Sequence, residues 1–267
     1  MPSKYNPRHL FIFEGDKGEP NIFRKLEEYF SKGSINITVA YSGNIYDFYK
    51  HLSKEENAYA DIVSLLKERN PDNKTILGEL TQEDFEAIYL FFDYDGHDSA
   101  ASDDKLAEML TLLDDEHENG YLYINYPMTE SFRHYLDYDS FKDKIVKCKI
   151  NKCEKKDNCK EAEACKKELK YKTRVPLECR PLLQNIKNYS EDVLKELIIA
   201  HLSKMNYIVN DIYSLPELYI TQQEIFQKQF EKYINKECPH VAVLSSFPIY
   251  LFDYFGAEKI KKKLEIK

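Results

Sequence analysis

The feature that most restricts this chain's fold is an unbroken apolar run, Ile88-Tyr-Leu-Phe-Phe92, closed by the acid-x-acid pair Asp93-Tyr94-Asp95. A short apolar run of this kind, bounded by turn residues, is expected for a strand buried on both faces, at a central position in a parallel sheet. A second run, Phe11-Ile-Phe13, also ends in a carboxylate, Glu14, followed by the glycine-bearing turn Gly15-Asp-Lys-Gly18 and a helix start at Pro20. Carboxylates at the C-terminal ends of strands in an open α/β sheet project into the crevice where ligands bind. Several gathered there repel one another unless a divalent cation sits between them. The pattern therefore points to a magnesium (or manganese) site for phosphate chemistry.

The rest of the first half supports such a sheet. Residues 9–13 form the first strand. Ile22, Phe23, Leu26, Tyr29 and Phe30 follow at spacings that share one helical face. Ile35-Asn-Ile-Thr-Val39 alternates as a half-buried strand does, and 45–65 reads as helix broken around 54–57. Asn70-Pro-Asp-Asn reads as a turn, and Thr81 as the N-cap of a short helix. A helix is expected over 102–117, a strand over Tyr121–Asn125, and a further helix from Thr129 to about Leu136. Strand and helix thus alternate four times, which calls for a parallel sheet with crossover helices. Beyond Tyr138 the character changes to a Lys- and Cys-rich stretch. Helices follow from Ser190 through Leu202 and from Leu215 through Tyr233, then an apolar segment, Val241–Tyr254, broken by Pro248. The expected organisation is a Rossmann-like α/β domain over 1–140, an insertion over 141–180 and a mainly α-helical domain over 181–267.

At the candidate site, Asp93 and Asp95 stand two apart, and on an extended strand both would point to one side and reach one cation. Gly96 lets the backbone turn away and leaves room for a phosphate. Glu14 is a further ligand, or the general acid or base on the attacking water or leaving oxygen. Lys17 is placed to hold a scissile phosphate, and His97 to ligate metal or shuttle a proton. Each has a plainer reading as a solvated turn residue. Magnesium takes one or two carboxylates plus water, and it would polarise a phosphodiester for hydrolysis.

These same residues carry a resemblance. A strand ending in glutamate–glycine, followed by a hydrophobic strand ending in D-x-D, resembles the Toprim domain of topoisomerases, primases and OLD-family nucleases. More narrowly, residues 14–23 (Glu-Gly-Asp-Lys-Gly-Glu-Pro-Asn-Ile-Phe) are similar to the E-G-E-x-T-E-P-N-Y-F opening of RloB-like Toprim proteins of bacterial defence loci. Asp93-Tyr94-Asp95-Gly96-His97 resembles that family's D-x-D-x-H segment, and residues 125–132 its S-N-P-x-F-E-x-W segment, with Thr129 and Phe132 at the two aromatic positions. The resemblance covers roughly residues 9–136. It implies a Toprim-like fold with Glu14, Asp93 and Asp95 as metal-dependent catalytic acids, and Glu19 and Glu130 in support. The plainer reading of Glu19 and Glu130 is that acids suit the first turn of a helix. It also implies a nuclease acting on DNA or RNA, including tRNA, as the toxic effector of an anti-phage system under the control of an ATPase partner.

Charge and cysteines add detail. The chain carries a formal −8, yet 141–175 holds thirteen Lys and Arg against six Asp and Glu, so the remainder stands near −15. A basic segment beside an acidic site suits a polyanionic substrate held by a separate surface, with Lys155, Lys156 and Lys160 as its binding residues. A solvated lysine-rich face is the alternative. Cys148, Cys153, Cys159 and Cys165 fall within 18 residues and could close a structural zinc site. They lack the tight C-x-x-C knuckle, so ordinary thiols or a redox sensor are the other readings. There is no P-loop, G-x-S-x-G, H-E-x-x-H or Rossmann glycine motif, which argues against this chain being its own ATPase. No apolar run nears the roughly 20 residues of a spanning helix and no signal-peptide core opens the chain, so a cytoplasmic protein with no membrane association is expected. The helical half offers a surface for a partner or a homo-oligomer. The rival reading is a non-catalytic sensor subunit, with a structural metal and a lysine-rich docking segment.

Overall fold

The computed structural model describes residues 7–30, 35–52, 61–148 and 170–266. Among them no helix is long and apolar enough to cross a membrane. The chain divides into two compact units, 1–93 with 102–124, and 94–101 with 125–267. The expected boundary near residue 140 lies inside the second.

The first unit is an α/β sheet in the order β2-β1-β3-β5-β4. The central strands β1 (Arg8–Phe13) and β3 (Ala87–Asp93) pair in parallel, with Phe13 opposite Phe91, and β1 pairs in parallel with β2 (Ile35–Ala40) on its other side. All seven residues of β3 are buried, as its unbroken apolar run requires. Next to β3 lies β5 (Gly120–Asn125), and the two-residue β4 (Asp114–Asp115) closes the edge antiparallel to β5. β4 overturns the expectation of a helix through residue 117: α5 (Asp103–Leu112) stops early because the chain folds back to pair with Tyr121 and Gly120.

Successive strand residues face opposite ways, so helices cover both faces. On one, Phe23 of α1 (Gly18–Phe30) packs on Phe11 at 4.1 Å and on Phe13 at 5.6 Å, and the aromatic layer runs on through Phe91 to Tyr123. On the other, Phe48 of α2 (Ile45–Leu52) stacks on Phe92 at 5.2 Å, and Tyr49 bonds Glu108 of α5. Each buried phenylalanine contributes about 1.5–3 kcal/mol. Tyr29, placed on the inner face of α1 by spacing, is 36% exposed. Asn70-Pro71, expected as a bare turn, instead caps and opens α4 (Pro71–Leu77), directly after α3 (Ile62–Arg69): the Asn70 side chain accepts from Asp72 N, and proline needs no donor at the first helical position.

The second unit is built on α8 (Glu191–Asn210), whose Ser190 cap is the expected one, although the helix runs well past Leu202. The other elements are α6 (Tyr138–Lys142), α7 (Tyr171–Glu178), α9 (Gln222–Gln229), α10 (Ser246–Lys263) and a two-stranded antiparallel sheet of β6 (Ile145–Lys147) and β7 (His240–Ala242). α9 begins at the Thr221–Glu224 capping box rather than at Leu215, and Leu218, expected on its buried face, is 80% exposed. The expected helix from Thr129 is a single 3-10 stretch, Thr129–Arg133.

Candidate functional site

Parallel pairing of β1 with β3 brings their carboxyl ends side by side. Glu14, the residue after β1, continues the ladder: its N–H donates to Phe91 O at 3.1 Å. Its side chain then reaches across, and Oε2 accepts the N–H of Asp93 at 3.0 Å. Asp93 is the last residue of β3 and only 2% exposed. Glu19, in the first turn of α1, is 6% exposed, and its Oε2 lies 3.2 Å from where a Cβ on Gly15 would stand. The bare α-carbon of Gly15 thus leaves room for this carboxylate beside the turn. Lys17 lies exposed in the same turn, its carbonyl accepting from Asn21 N at 3.2 Å.

Asp95 does not share the geometry expected of it. β3 ends at Asp93, and Asp95 takes a left-handed φ of 37°. The two-residue alternation that would align the carboxylates therefore stops before Asp95 is reached. Within the second unit, Asp95 N donates to Pro127 O at 3.2 Å and its Oδ1 lies 3.5 Å from Nδ1 of His97. Gly96 is needed for close approach: a Cβ there would fall 2.8 Å from Cys148 O and 2.7 Å from the Tyr94 ring. Glu130 lies in the 3-10 stretch, and its Oε2 is buried with no hydrogen-bond partner among the described residues, as are Oγ1 of Thr129 and Oγ of Ser131. Cys148 is fully buried. Cys153, Cys159, Cys165, Lys155, Lys156 and Lys160 lie outside the described residues.

Whether these groups suit magnesium turns on their chemistry and number. Glu14, Asp93 and Glu19 offer only hard oxygen donors, the kind magnesium selects. Among the described residues no three His, Cys, Asp or Glu side chains form a ready-made metal cage. Magnesium rarely uses one, being held by one or two carboxylates with the rest of its octahedron in water and substrate oxygens. The Glu14–Asp93 pair fits that demand.

Two features at this end of the sheet lie outside the sequence expectations: the loop after β2, Tyr41-Ser42-Gly43-Asn44, and the arginine that closes on it, Arg69. The Ser-Gly pair following a strand signals a turn at the crevice edge. Nothing local in the sequence connects it to an arginine 26 positions later.

No protein-family model, curated protein or solved structure matches this chain.

Proposed function

We propose that the chain is a magnesium-dependent nuclease of Toprim type, hydrolysing phosphodiester bonds of DNA or RNA, tRNA among them. The observation that carries this reading is the Glu14–Asp93 juxtaposition, two acids at the carboxyl ends of adjacent parallel strands, with the carboxylate of one held against the backbone of the other. Asp93 and Glu14 would hold the ion, and Asp95 is carried as a third acid by the sequence resemblance alone. When bound, magnesium supplies Lewis acidity toward the phosphodiester and lowers the pKa of water. Glu14, its Oε2 accepting from Asp93 N at the end of the adjoining strand, is the residue placed to orient a nucleophilic water and take its proton. Asp93, almost wholly buried, is fixed by strand and core and loses little freedom when it binds. The biological setting proposed, a toxic effector of phage defence restrained by an ATPase partner, rests on the sequence resemblance.

The test is cleavage of plasmid, single-stranded DNA and total tRNA with magnesium or manganese. Asp93→Asn keeps the shape and removes the charge. It is expected to lower the cleavage rate about 1,000-fold or more, the loss of several kcal/mol of stabilisation, with no change in thermal midpoint. Wild type and variant equally inert on every substrate would favour a binding subunit instead.

A further inference from the structure

Arg69 ends α3, yet its guanidinium lies at the carboxyl end of β2. Its Nε donates to Tyr41 O at 3.1 Å, the group stacks over the Tyr41 ring at 4.2 Å, Nη2 pairs with Asp47, and Nη1 lies 3.3 Å from Nε2 of His51. The same loop is bonded to the candidate site: Tyr41 N donates to Phe13 O at 2.8 Å and Ser42 N to Glu14 O at 3.0 Å. β2, β1 and β3 are consecutive in the sheet, with strands about 5 Å apart. Arg69, Glu14 and Asp93 therefore stand in a row along one edge, the edge at which open α/β sheets take ligands.

We propose that Arg69 grips a phosphate of the nucleic-acid backbone beside the one being cleaved, an inference that rests on the nuclease reading above. A guanidinium carries five N–H donors in a planar fork suited to phosphate oxygens. Among the described residues Tyr41 O, Asp47 and His51 engage one each, which leaves two for a ligand. The side chain as a whole is still 25% exposed, so it is not sealed from a ligand. Capping the strand does not require this much. Asn73 Nδ2 already takes Ala40 O at 2.8 Å, and one donor would serve Tyr41 O. Stacking and the Asp47 pair fix the direction of the fork as well. Asp47 offsets part of the guanidinium charge, and the geometry of the remaining donors then supplies the selectivity. Gly43 is part of the device, because a Cβ there would fall 2.5 Å from Arg69 Nη2.

Anisotropy of fluorescent single-stranded DNA and RNA oligonucleotides in EDTA, where nothing is cut, tests this on the full chain. Arg69→Ala is expected to raise Kd about tenfold and to flatten the log–log salt slope by about 0.7, one phosphate contact on a single strand. Arg69→Lys should restore the slope but only part of the affinity, since an ammonium has no fork. Gly43→Ala keeps the charge, displaces the fork and should weaken binding. Those two variants carry the test if Arg69→Ala does not fold. Unchanged Kd and slope in all of them, or a wild type that binds neither oligonucleotide, overturns the proposal and leaves Arg69 as a strand-end cap. Cleavage lost in Asp93→Asn with oligonucleotide binding retained upholds the nuclease reading whatever Arg69 does. Cleavage indifferent to Asp93 sinks that reading even where Arg69 binds phosphate.

Discussion

Glu14 serves the sheet and the candidate chemistry with different atoms. Its N–H and carbonyl belong to the strand ladder, bonded to Phe91 and Ser42, while its carboxylate crosses to Asp93 N. A rigid ladder therefore aims a reactive group, and the precision of the site is that of β1 against β3. That precision depends in turn on residues with no chemistry of their own. Gly120 opens β5 beside β3 with a φ of 96°, and a Cβ there would come within 2.7 Å of Leu90 Cδ1 and 3.3 Å of Ile88 Cγ2. An L side chain at that φ is strained, and the space is already filled by β3. Gly120→Ala is accordingly expected to cost about 1–3 kcal/mol in urea unfolding, with the midpoint moving and the m-value constant. A variant as stable as wild type would mean that β5 does not lie against β3 as described.

At the scale of elements, what the sequence disclosed followed from how local the signal was. β1, β3 and β5 were legible because their apolar runs are continuous and bounded by turn residues, and with them came the two acids that end β1 and β3. α8 was legible from Ser190. The short pieces were not. β4 is two aspartates whose strand conformation exists only through pairing with β5, and α9 was misplaced because Leu215-Pro-Glu-Leu suits a helix start while the Thr221–Glu224 box forms a better one. In that box Thr221 Oγ1 accepts from Glu224 N at 3.1 Å, and the Glu224 carboxylate accepts from Thr221 N at 2.8 Å. Thr221→Ala should therefore destabilise the second unit by about 1 kcal/mol, read as a lower thermal midpoint, and Thr221→Ser should restore most of it. Equal midpoints for all three proteins would move the helix start elsewhere. Arg69 and Asp95 were beyond such reading for a different reason. One depends on a helix returning to a strand end, the other on a left-handed turn that breaks the strand's alternation.

For the molecule as a whole, two buried histidines of the second unit, His134 and His201, tie stability to pH. His134 has no exposed surface; its Nδ1 accepts from Tyr171 Oη at 3.0 Å and its Nε2 faces Glu178 Oε2 at 2.9 Å. Lys144 and Arg174 also bond Glu178. Burial, then the nearby Lys144 charge, outweigh the attraction of Glu178 and bring His134 down to about 4. Burial pushes the Glu178 carboxyl up, but bonds from Arg174, Lys144 and His134 prevail and hold it at about 2. His201, wholly buried between Phe132 O and Ser245 N, falls to about 3 through burial. Each imidazole stays neutral in the fold while the unfolded chain takes up protons below about 6.5. The unfolded state thus binds more protons in this window, and stability rises with pH. What His134 contributes is complete above about 6.5 and is lost on descent toward 4, reaching about 3 kcal/mol at most. The informative window is pH 6.5 to 5, above the range where ordinary carboxylates titrate. Thermal midpoints should fall across it in wild type. His134→Gln, which keeps a neutral hydrogen-bonding side chain, should begin lower at pH 7 and decline less steeply. Parallel curves for the two proteins would show that His134 takes up its proton in the folded chain as readily as in the unfolded one. The Tyr171–His134–Glu178 chain would then not hold the imidazole in its neutral form.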